Sequence, residues 1–409
     1  MVSKCLFIAL LLAAHLYSMV HSVPSLIDYT NIHAFLDKLL SPKNCTGSKY
    51  AEVRMGGNGG FASQFQMAAS HWMRAAAITN FNIPVIVAGS ITRYSEGPSC
   101  KHVNGDYTCY FLPLSECQQV LTRTGVKVEV DYKKMKSYND ALLPPQFSHV
   151  GIAYWWGIVQ ERMFRLQVPV RNYIVTEGSR MNNGLGFPGL SLASLAPDWR
   201  LNAKQKNNSP LTTLVGIHVR HGDKKSDGFV LHGFEETVLE VHKILNCAVP
   251  QAKADGSCWI KSTKDTLQRI PVFVASDDGN VLTNALRMGF LAHSHGVSQT
   301  TEATGMMVSL RHKPEMSYNA SLEIIRDVLF LSRCSTLVGI AASQVFRMAV
   351  ALSNATGILD SATAMDSAQI PRVMHLSRMF GVPFVETFNM HVKRPFVPGT
   401  VSRWGLSGG

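Results

Sequence analysis

The sequence predicts an α/β protein of two domains, the second of which is a doubly wound, parallel, Rossmann-type sheet. Three apolar runs in the second half, 215–219, 271–275 and 336–340, each end in polar residues and are separated by helical stretches. This alternation is typical of buried parallel strands linked by helices. The first half contains a strand, a glycine-rich loop, a helix and a second strand, which predict a β-α-β unit. The length of 409 residues allows about two domains of ~150 to 200 residues.

The composition predicts a folded, basic protein. Hydrophobic residues make up 46% and charged residues 16% of the chain, so we expect a packed core and not a disordered chain. The formal net charge of +11 suits an anionic partner such as a nucleotide, a membrane surface or nucleic acid. Nucleic acid is not expected as the partner, because the basic residues are scattered and are not interleaved with aromatic residues.

The N-terminus, residues 1–22, predicts a targeting segment. Lys4 precedes an apolar stretch over 5–20 without acidic residues, lysine or arginine, and Val20-His21-Ser22 is a small-residue cleavage pattern. A cleaved signal peptide is favoured, and an uncleaved signal-anchor is the alternative. In both cases we expect the rest of the chain to face the secretory lumen, with membrane contact only through an uncleaved anchor.

The cysteines agree with an oxidising compartment. Two close pairs flank short segments and form disulfides easily, and a third pair can form across the first domain. These pairs are Cys100 with Cys109, Cys247 with Cys258, and Cys45 with Cys117. Cys334 is then expected to be a buried free thiol. Four Asn-X-Ser/Thr acceptor patterns give weak further support. No CxxC or HxxxH spacing supports a metal site.

The β-α-β unit begins with a strand over 50–55 and continues through the loop Gly56-Gly57-Asn58-Gly59-Gly60 into a helix over 61–79. Apolar residues at helical spacing define that helix, and β-branched residues predict the next strand over 83–88. A glycine loop at a helix N-terminus lets the backbone approach a ligand and offers N–H groups to phosphate. A purely structural glycine turn is the alternative.

The same loop fits a loose dinucleotide pattern, Gly57-x-Gly59-x-x-Ala62. The acidic residue expected about 20 positions further on is absent, since Val87 is followed by Ala-Gly-Ser-Ile-Thr-Arg, and the P-loop lysine is missing too. A nicotinamide-dependent oxidoreductase is therefore only a minor alternative.

The middle of the chain holds an irregular, cysteine-bearing stretch over 91–117 and then a helix that opens with Tyr154-Trp155-Trp156. Adjacent tryptophans usually belong to a core, and a sugar-stacking platform is the alternative. The Gly-, Asn-, Pro- and Ser-rich stretch 181–201 and the polar stretch 202–210 predict the domain boundary.

The three strand ends of the second half predict one ligand site. Ligands bind beyond the carboxyl ends of parallel strands, so residues far apart in sequence converge there. The residues are His218, Arg220, Asp223, Asp277, Asp278, Ser343 and Gln344. A solvated basic turn is the alternative for the first strand end.

Asp327 is a further candidate on the predicted helix 319–333. Ile324, Phe330 and Leu331 flank it at helical spacing, and a carboxylate in such company is rarely buried without a partner. A ligand contact is one interpretation, and a salt bridge to a nearby arginine, Arg326 or Arg347, is the other.

Together these motifs resemble the α-1,6-fucosyltransferase family, which includes core N-glycan and bacterial nodulation fucosyltransferases. The HVRHGDK motif starting at His218 is similar to the family's H-V-R-R-x-D-K, and ASDD ending at Asp278 is similar to A-T-D-D. The DVLFLS motif starting at Asp327 resembles D-x-x-F-L-S, and ASQVFR ending at Arg347 resembles S-S-Q-V-x-R.

The resemblance extends into the first half. Gly60-Phe61-Ala62-Ser63-Gln64 is similar to the family's glycine-rich loop, and Trp155-Trp156 matches a tryptophan pair of the family. The FLPLSEC motif ending at Cys117 resembles F-x-P-x-S-x-x-C with one residue fewer. The motifs occur in the family's order from about Met55 to Arg347.

The resemblance implies a GT-B-like enzyme that transfers fucose from GDP-fucose to a glycan with inversion, most of all α-1,6 to the N-glycan core. It implies no metal and no further cofactor, an oligosaccharide or glycoprotein acceptor, and a place in the Golgi lumen, secreted or anchored as a type II membrane protein. The expected parts are an open-sheet α/β domain over 23–205, a GDP-sugar-binding domain over 206–375 and a tail over 376–409. A non-catalytic relative that binds GDP-sugar or glycan is the alternative.

The resemblance also implies roles for single residues. Arg220 is expected to neutralise the leaving diphosphate, because a guanidinium fork gives paired hydrogen bonds and a permanent charge. Asp327 is expected to bind guanine or ribose. The other residues expected to bind the donor are His218, Asp277, Asp278, Ser343, Gln344, Gly60 and Phe61, and the other catalytic residues are Asp223, Lys224 and Asp227.

The sequence departs from the family at two positions. His221 replaces the second arginine of the pair, and Gly228 stands where the family has a glutamate. Asp227, one position away, is the candidate for the carboxylate base that the acceptor hydroxyl needs. Glu235 and Glu236 match acidic residues of the family further on.

Overall fold

The computed structural model describes thirteen stretches of the chain. They are residues 26–57, 59–95, 97–130, 142–181, 187, 195, 214–221, 232–245, 258–261, 267–292, 316–356, 358–359 and 361–365. The predicted signal segment over 1–22, the domain boundary near 205, Cys247 and the tail over 376–409 lie outside these residues. Within them, two parallel sheets with flanking helices form the α/β architecture that the sequence predicts.

The first half is built around a three-stranded parallel sheet. Helix α1 (Leu26–Leu40) precedes strand β1 (Lys49–Arg54), helix α2 (Phe61–Ile78) and strand β2 (Val85–Ala88), and β1 lies between β2 and the short strand β3 (Val126–Lys127). The predicted β-α-β unit is confirmed. Strand β2 begins later than predicted because Pro84 has no N–H for a ladder bond, although its carbonyl accepts one from Ala51 at 3.0 Å.

Short helices complete the first half. Helices α3 (Gln118–Thr124), α4 (Ile152–Met163) and α5 (Val168–Arg180) follow the predicted irregular stretch, which contains two short 3₁₀ helices, and a third 3₁₀ helix precedes α4. These 3₁₀ helices are Pro98–Val103, Tyr107–Cys109 and Pro145–Val150.

The predicted cysteine chemistry of the first half is confirmed. Cys100 pairs with Cys109, and Cys45 pairs with Cys117, which joins the chain before β1 to the start of α3. Cys334 is a buried free thiol, and burial raises its pKa well above the ordinary value.

The second half contains the predicted doubly wound sheet. Strands β4 (Val215–Val219), β7 (Val272–Ser276) and β8 (Thr336–Gly339) are parallel, in the order β7-β4-β8, and a fourth strand, β9 (Ser361–Ala364), extends the sheet beyond β8. An antiparallel pair, β5 (Cys258–Lys261) and β6 (Leu267–Ile270), lies between β4 and β7 in sequence. The sequence interpretation missed β5, β6 and β9.

Four described helices cover the two faces of this sheet. They are α6 (Phe234–Leu245), α7 (Gly279–Arg287), α8 (Ser317–Ser332) and α9 (Gln344–Ala355). Val215, Ile217 and Val219 pack in one cluster with residues of α6 and α7. The opposite face joins the cluster of α8 and α9 through residues such as Phe273 and Leu337. Because side chains alternate along a strand, Gly216 and His218 lie on the α8–α9 face.

One hydrophobic cluster runs from the first half into α8 and α9. Helix α4 crosses α9 so closely that a Cβ on Gly157 would lie 2.6 Å from the carbonyl oxygen of Ala351. Trp155 and Trp156 are fully buried, which confirms the core interpretation of the tryptophan pair. Among the described helices, none has the length and hydrophobicity needed to cross a bilayer.

Candidate functional site

Except for Asp327, which lies on α8, the described candidate residues of the second half lie at the carboxyl edge of the parallel sheet. Ladder pairing places His218 beside Ala275 and Val219 beside Ser276, so the segments that follow β4 and β7 leave the sheet together. Arg220 and His221 follow β4, Asp277 and Asp278 follow β7, and Ser343 and Gln344 follow β8. This is the edge at which doubly wound sheets bind ligands.

Arg220 is held by the carboxylate of Asp277. Its Nη1 contacts Oδ2 of Asp277, and the backbone N–H of His221 donates to the other oxygen, Oδ1, at 2.9 Å. The Arg220 side chain is 20% exposed, so it is partly shielded but still accessible from solvent. A guanidinium carries five N–H donors in a planar fork, the geometry that binds carboxylates and phosphates through paired hydrogen bonds.

His218 is a buried, neutral imidazole next to this arginine. Burial, and then the charge of Arg220, lower the pKa of His218 to about 3. Its ring stacks against Phe346 of α9 with a centroid distance of 6.5 Å. Nδ1 of His218 is buried and has no hydrogen-bond partner among the described residues. Since an unsatisfied buried polar atom costs free energy, this nitrogen is a candidate ligand contact.

Helix α9 brings its N-terminus to the same edge. Ser343 is the N-cap residue, and no capping hydrogen bond from its side chain occurs within the described part of the chain. The N–H groups of a helix N-terminus carry partial positive charge and bind anions readily. The backbone carbonyl of Gln344 accepts a hydrogen bond from Nε2 of Gln66 on α2, at 2.8 Å.

Asp278 has a structural role that the sequence interpretation did not foresee. Its Oδ1 accepts from the backbone N–H of Asn280 at 2.9 Å and so caps α7, and its Oδ2 contacts Nδ1 of His221 at 2.8 Å. Partial burial raises the pKa of the Asp278 carboxyl, but the hydrogen bonds from His221 and Asn280 outweigh it and leave the pKa below its ordinary value. Donor binding by Asp278 stays a prediction.

In the glycine loop of the first half, three positions require a glycine and one would accept a side chain. Gly56 and Gly57 have φ of 130° and 133°, which side chains rarely adopt, and a Cβ on Gly59 would lie 2.6 Å from Oγ of Ser63. Gly60 is different, because it has φ of −63° and the nearest atom to an added Cβ is the Tyr94 hydroxyl at 3.8 Å. The structural interpretation therefore holds for three glycines, whereas the fold itself does not require a glycine at 60.

Phe61 and Gln64 support the same loop from the start of α2. The Phe61 side chain is buried edge-on against Tyr94 at 5.5 Å, so it belongs to the core. The Gln64 amide donates to the carbonyl of Gly59 at 2.7 Å and accepts from the N–H of Thr92 at 2.8 Å. Sequence reasoning named Gln64 only as the last residue of the glycine-rich loop motif and did not name Gln66, although both are polar residues inside an apolar helix.

Asp327 forms the salt bridge that was one of its two interpretations. Its Oδ1 lies 3.0 Å from Nε and 2.9 Å from Nη2 of Arg326 on the same helix, and Nη1 of Arg326 lies 4.0 Å from Glu177 on α5. Burial raises the pKa of Asp327, and the charge of Arg326 opposes that rise. A contact with guanine or ribose stays a prediction.

Three predicted catalytic residues, Asp223, Lys224 and Asp227, lie outside the described residues, as does Gly228. Their roles stay predictions. Within the described residues, no group of three or more His, Cys, Asp or Glu side chains is arranged to hold a metal ion.

The fold and this arrangement define a class: a doubly wound α/β protein with polar and charged side chains gathered at its strand ends, the edge at which such sheets bind ligands. Residues 199–368 match the family model described as alpha-(1,6)-fucosyltransferase N- and catalytic domains. This part of the chain, which contains every described site residue of the second half, is similar to the α-1,6-fucosyltransferase family, the family that its motifs also resemble.

The chain is also similar to solved structures of the fucosyltransferase NodZ. NodZ alpha-1,6-fucosyltransferase soaked with GDP-fucose is 12% identical, with 78% of this chain and 96% of that chain covered and a TM-score of 0.38. Selenomethionine NodZ from Bradyrhizobium is 13% identical, with 79% and 96% covered and a TM-score of 0.36. No curated protein matches the chain.

Proposed function

We propose that the protein transfers fucose from GDP-fucose to a glycan acceptor with inversion of the anomeric centre, and that the product is an α-1,6 linkage to the N-glycan core. The observation that carries the proposal is the placement of Arg220. It lies at the carboxyl end of β4, is held by Asp277, and belongs to the segment that matches the fucosyltransferase family.

The chemistry requires that the enzyme stabilise the diphosphate that leaves. Negative charge develops on GDP as the bond to fucose breaks, and a positioned guanidinium stabilises it through charge-assisted hydrogen bonds. Arg220 supplies that charge, and the N-terminus of α9 adds backbone N–H donors. His218 is neutral because its pKa is about 3, so it acts as a hydrogen-bonding group and not as a second cation.

We also propose that no metal and no further cofactor is required. A permanent guanidinium charge and a helix N-terminus supply the electrostatic stabilisation that a metal ion supplies in other transferases. EDTA should therefore leave the rate unchanged.

The acceptor hydroxyl needs a base on the face opposite the leaving diphosphate, as in other inverting carbohydrate reactions. We propose Asp227 for this role, with Asp223 and Lys224 close to it in the chain. Donor contacts are proposed for Asp277, Asp278, Asp327, Ser343, Gln344 and the loop at Gly60 and Phe61.

The proposed location is the Golgi lumen, with the protein secreted or anchored through residues 1–22. Two disulfides support an oxidising compartment, because such bonds are rare in the cytosol.

A second candidate function is favoured by the departures at His221 and Gly228. A relative that binds GDP-sugar or glycan without turnover would not need the glutamate that Gly228 replaces. GDP binding without transfer to any acceptor would identify this case.

The test is release of GDP from GDP-fucose in the presence of EDTA, against a panel of N-glycans and chitooligosaccharides. GDP-fucose is the first donor to use because residues 199–368 match a fucosyltransferase family model. Arg220→Ala should lower the rate at least about a hundredfold, the typical loss when a group that stabilises transition-state charge is removed. Arg180→Ala is the matched control, because the Arg180 side chain is 73% exposed and its ion pair is with Glu177, three positions earlier on the same helix. Equal rates for wild type and Arg220→Ala would contradict the proposal.

A further inference from the structure

His221 lies between two hydrogen-bond acceptors. Its Nδ1 is 2.8 Å from Oδ2 of Asp278, and its Nε2 is 3.2 Å from the backbone carbonyl oxygen of His232. The imidazole is about one quarter exposed, at 27%, so both contacts are only partly accessible to water. The ring therefore connects the end of β7 with the segment that precedes α6.

Only one protonation state satisfies both contacts. A neutral imidazole has one N–H donor and one lone pair, so either tautomer directs a lone pair at the Asp278 carboxylate or at the His232 carbonyl. Both targets are acceptors, and two acceptors that face each other repel. The imidazolium carries a proton on each nitrogen and donates to both.

Among the described residues, charged groups lie on both sides of the ring. The Asp277 carboxylate accepts from the backbone N–H of His221, and Asp278 faces its Nδ1, so two carboxylates lie on the β7 side. Arg220 precedes His221 and is paired with Asp277. On the α6 side, Nδ1 of His232 lies 3.0 Å from Oε1 of Glu236.

The His221 ring also affects the position of Arg220, because two residues that follow each other in the chain connect them. Asp277 and Asp278 are neighbours in the chain, so fixing the Asp278 carboxylate fixes the turn that carries the Asp277 carboxylate as well. Asp277 in turn holds the Arg220 guanidinium. Loss of the proton on His221 would remove one of its two contacts and loosen this turn.

We propose that His221 is a positioning residue that works as an imidazolium and holds the Asp277–Asp278 turn, and through it Arg220, in place for the diphosphate of the donor. This inference rests on the proposed function. It predicts that donor affinity falls as the pH rises and His221 loses its proton, whereas an arginine at this position would keep its charge.

The first experiment measures GDP-fucose binding by calorimetry without acceptor, from about pH 5 to about pH 8, the range in which histidine side chains change charge. Each phosphate of GDP-fucose has one ester bond, to ribose or to fucose, and shares the anhydride bond between them, so the ligand has no terminal phosphate that titrates in this range. We expect wild-type affinity to fall about fivefold with rising pH, the effect of one partly exposed ion pair.

Two variants test whether His221 causes the pH dependence of GDP-fucose affinity. His221→Gln should bind weakly and without this pH dependence, and His221→Arg should keep its affinity at the alkaline end. The same pH dependence in His221→Gln as in wild type would overturn the inference while the proposed function stands. Absence of GDP-fucose binding at every pH would instead count against the proposed function.

The second experiment needs no donor. His221→Gln, Asp278→Asn and the double variant are compared with wild type by thermal unfolding at about pH 6 and about pH 8, either side of neutral. If His221 is an imidazolium in this contact, the Tm of the double variant should fall by less than the sum of the falls in the two single variants. The gap between that sum and the fall in the double variant should be larger at about pH 6 than at about pH 8. Additive losses at both pH values would overturn the inference whatever the donor results.

Discussion

The side-chain amide of Gln66 donates a hydrogen bond of 2.8 Å to the backbone carbonyl of Gln344, across 278 positions of sequence. Gln66 is fully buried on α2, and Gln344 opens α9, the helix whose N-terminus is proposed to bind the donor diphosphate. The glycine loop lies at the start of α2. One hydrogen bond thus fixes the two proposed phosphate-binding elements relative to each other.

Removing this hydrogen bond should weaken donor binding more than it disturbs the fold. Gln66→Leu keeps the volume but removes the donor, and a neutral hydrogen bond contributes ~1 kcal/mol, so GDP affinity should fall about fivefold. Calorimetry measures this affinity, and far-UV circular dichroism checks that the helices persist. Gln119→Leu, on an exposed position of α3, is the control and should bind normally. An unchanged affinity in Gln66→Leu would show that α2 does not position α9.

The glycine loop offers a matched pair of substitutions. Gly60→Ala meets no protein atom closer than 3.8 Å, so the free energy of unfolding should fall by less than about 1 kcal/mol. If the donor approaches this backbone, the added methyl should weaken GDP binding about tenfold, which corresponds to ~1.4 kcal/mol.

Gly59→Ala serves as the comparison. Its Cβ would lie 2.6 Å from Oγ and 2.8 Å from Cβ of Ser63, so it should lower Tm clearly. Normal GDP binding by a folded Gly60→Ala protein would leave the loop a purely structural turn.

The contact between α4 and α9 should be intolerant of any side chain at Gly157. An added Cβ would lie 2.6 Å from the carbonyl oxygen of Ala351 and 3.1 Å from Cβ of Ala355, and backbone atoms cannot move aside cheaply. Gly157→Ala should cost roughly 1 to 3 kcal/mol of unfolding free energy, as overpacked cores do. Denaturant unfolding measures it, with Gly233→Ala as the control, since its nearest atom is 3.7 Å away. Equal losses for both variants would contradict this packing.

The two disulfides should contribute unequally to stability. Cys45 and Cys117 are 72 positions apart, whereas Cys100 and Cys109 are 9 apart, and in the chain-entropy model the longer loop is stabilised more. Replacing the first pair by serine should cost roughly 4 kcal/mol and replacing the second roughly 3 kcal/mol. Comparison of the two double variants by denaturant unfolding tests the order, and a reversed order would count against the loop-entropy explanation here.

His218 should make the fold sensitive to acid. Burial lowers its folded pKa to about 3 from the ordinary 6.5, so below about pH 6.5 the unfolded chain binds a proton that the folded chain does not. Stability should therefore fall as the pH drops from 6.5 towards 3, by up to about 2 to 3 kcal/mol at about pH 4.5.

The variant His218→Asn removes this titrating group and keeps a neutral polar side chain. Its unfolding free energy should depend less on pH between about 4.5 and about 7 than that of wild type. Parallel pH curves for the two proteins would show that His218 does not carry the acid sensitivity.

The sequence predicted the strands and helices that have a clear local pattern. The glycine loop, α2 and the three strands β4, β7 and β8 follow from apolar periodicity and polar strand ends. The strands β5, β6 and β9 were missed because four residues such as Ser361–Ala364 carry no periodic signal, and their pairing is decided by the neighbouring strand.

The site was predicted as a location but not as a set of contacts. Parallel strand ends meet at one edge, so Arg220 and Asp277 could be brought together from sequence alone. That Asp277 holds Arg220, and that Asp278 caps α7 and meets His221, depends on strand register and side-chain rotamers. The Gln66 contact depends on how the two halves pack, which no local pattern encodes.

The most direct measurement is calorimetric titration of wild type, Arg220→Ala and Arg180→Ala with GDP. If Arg220 at the end of β4 binds the donor diphosphate, Arg220→Ala should lose at least about tenfold in affinity, the range of a charge-assisted hydrogen bond. Arg180→Ala should match wild type, because its side chain is exposed on α5. Equal affinity of all three proteins for GDP, or no binding by folded wild type, would contradict the assignment of this strand end as the donor site.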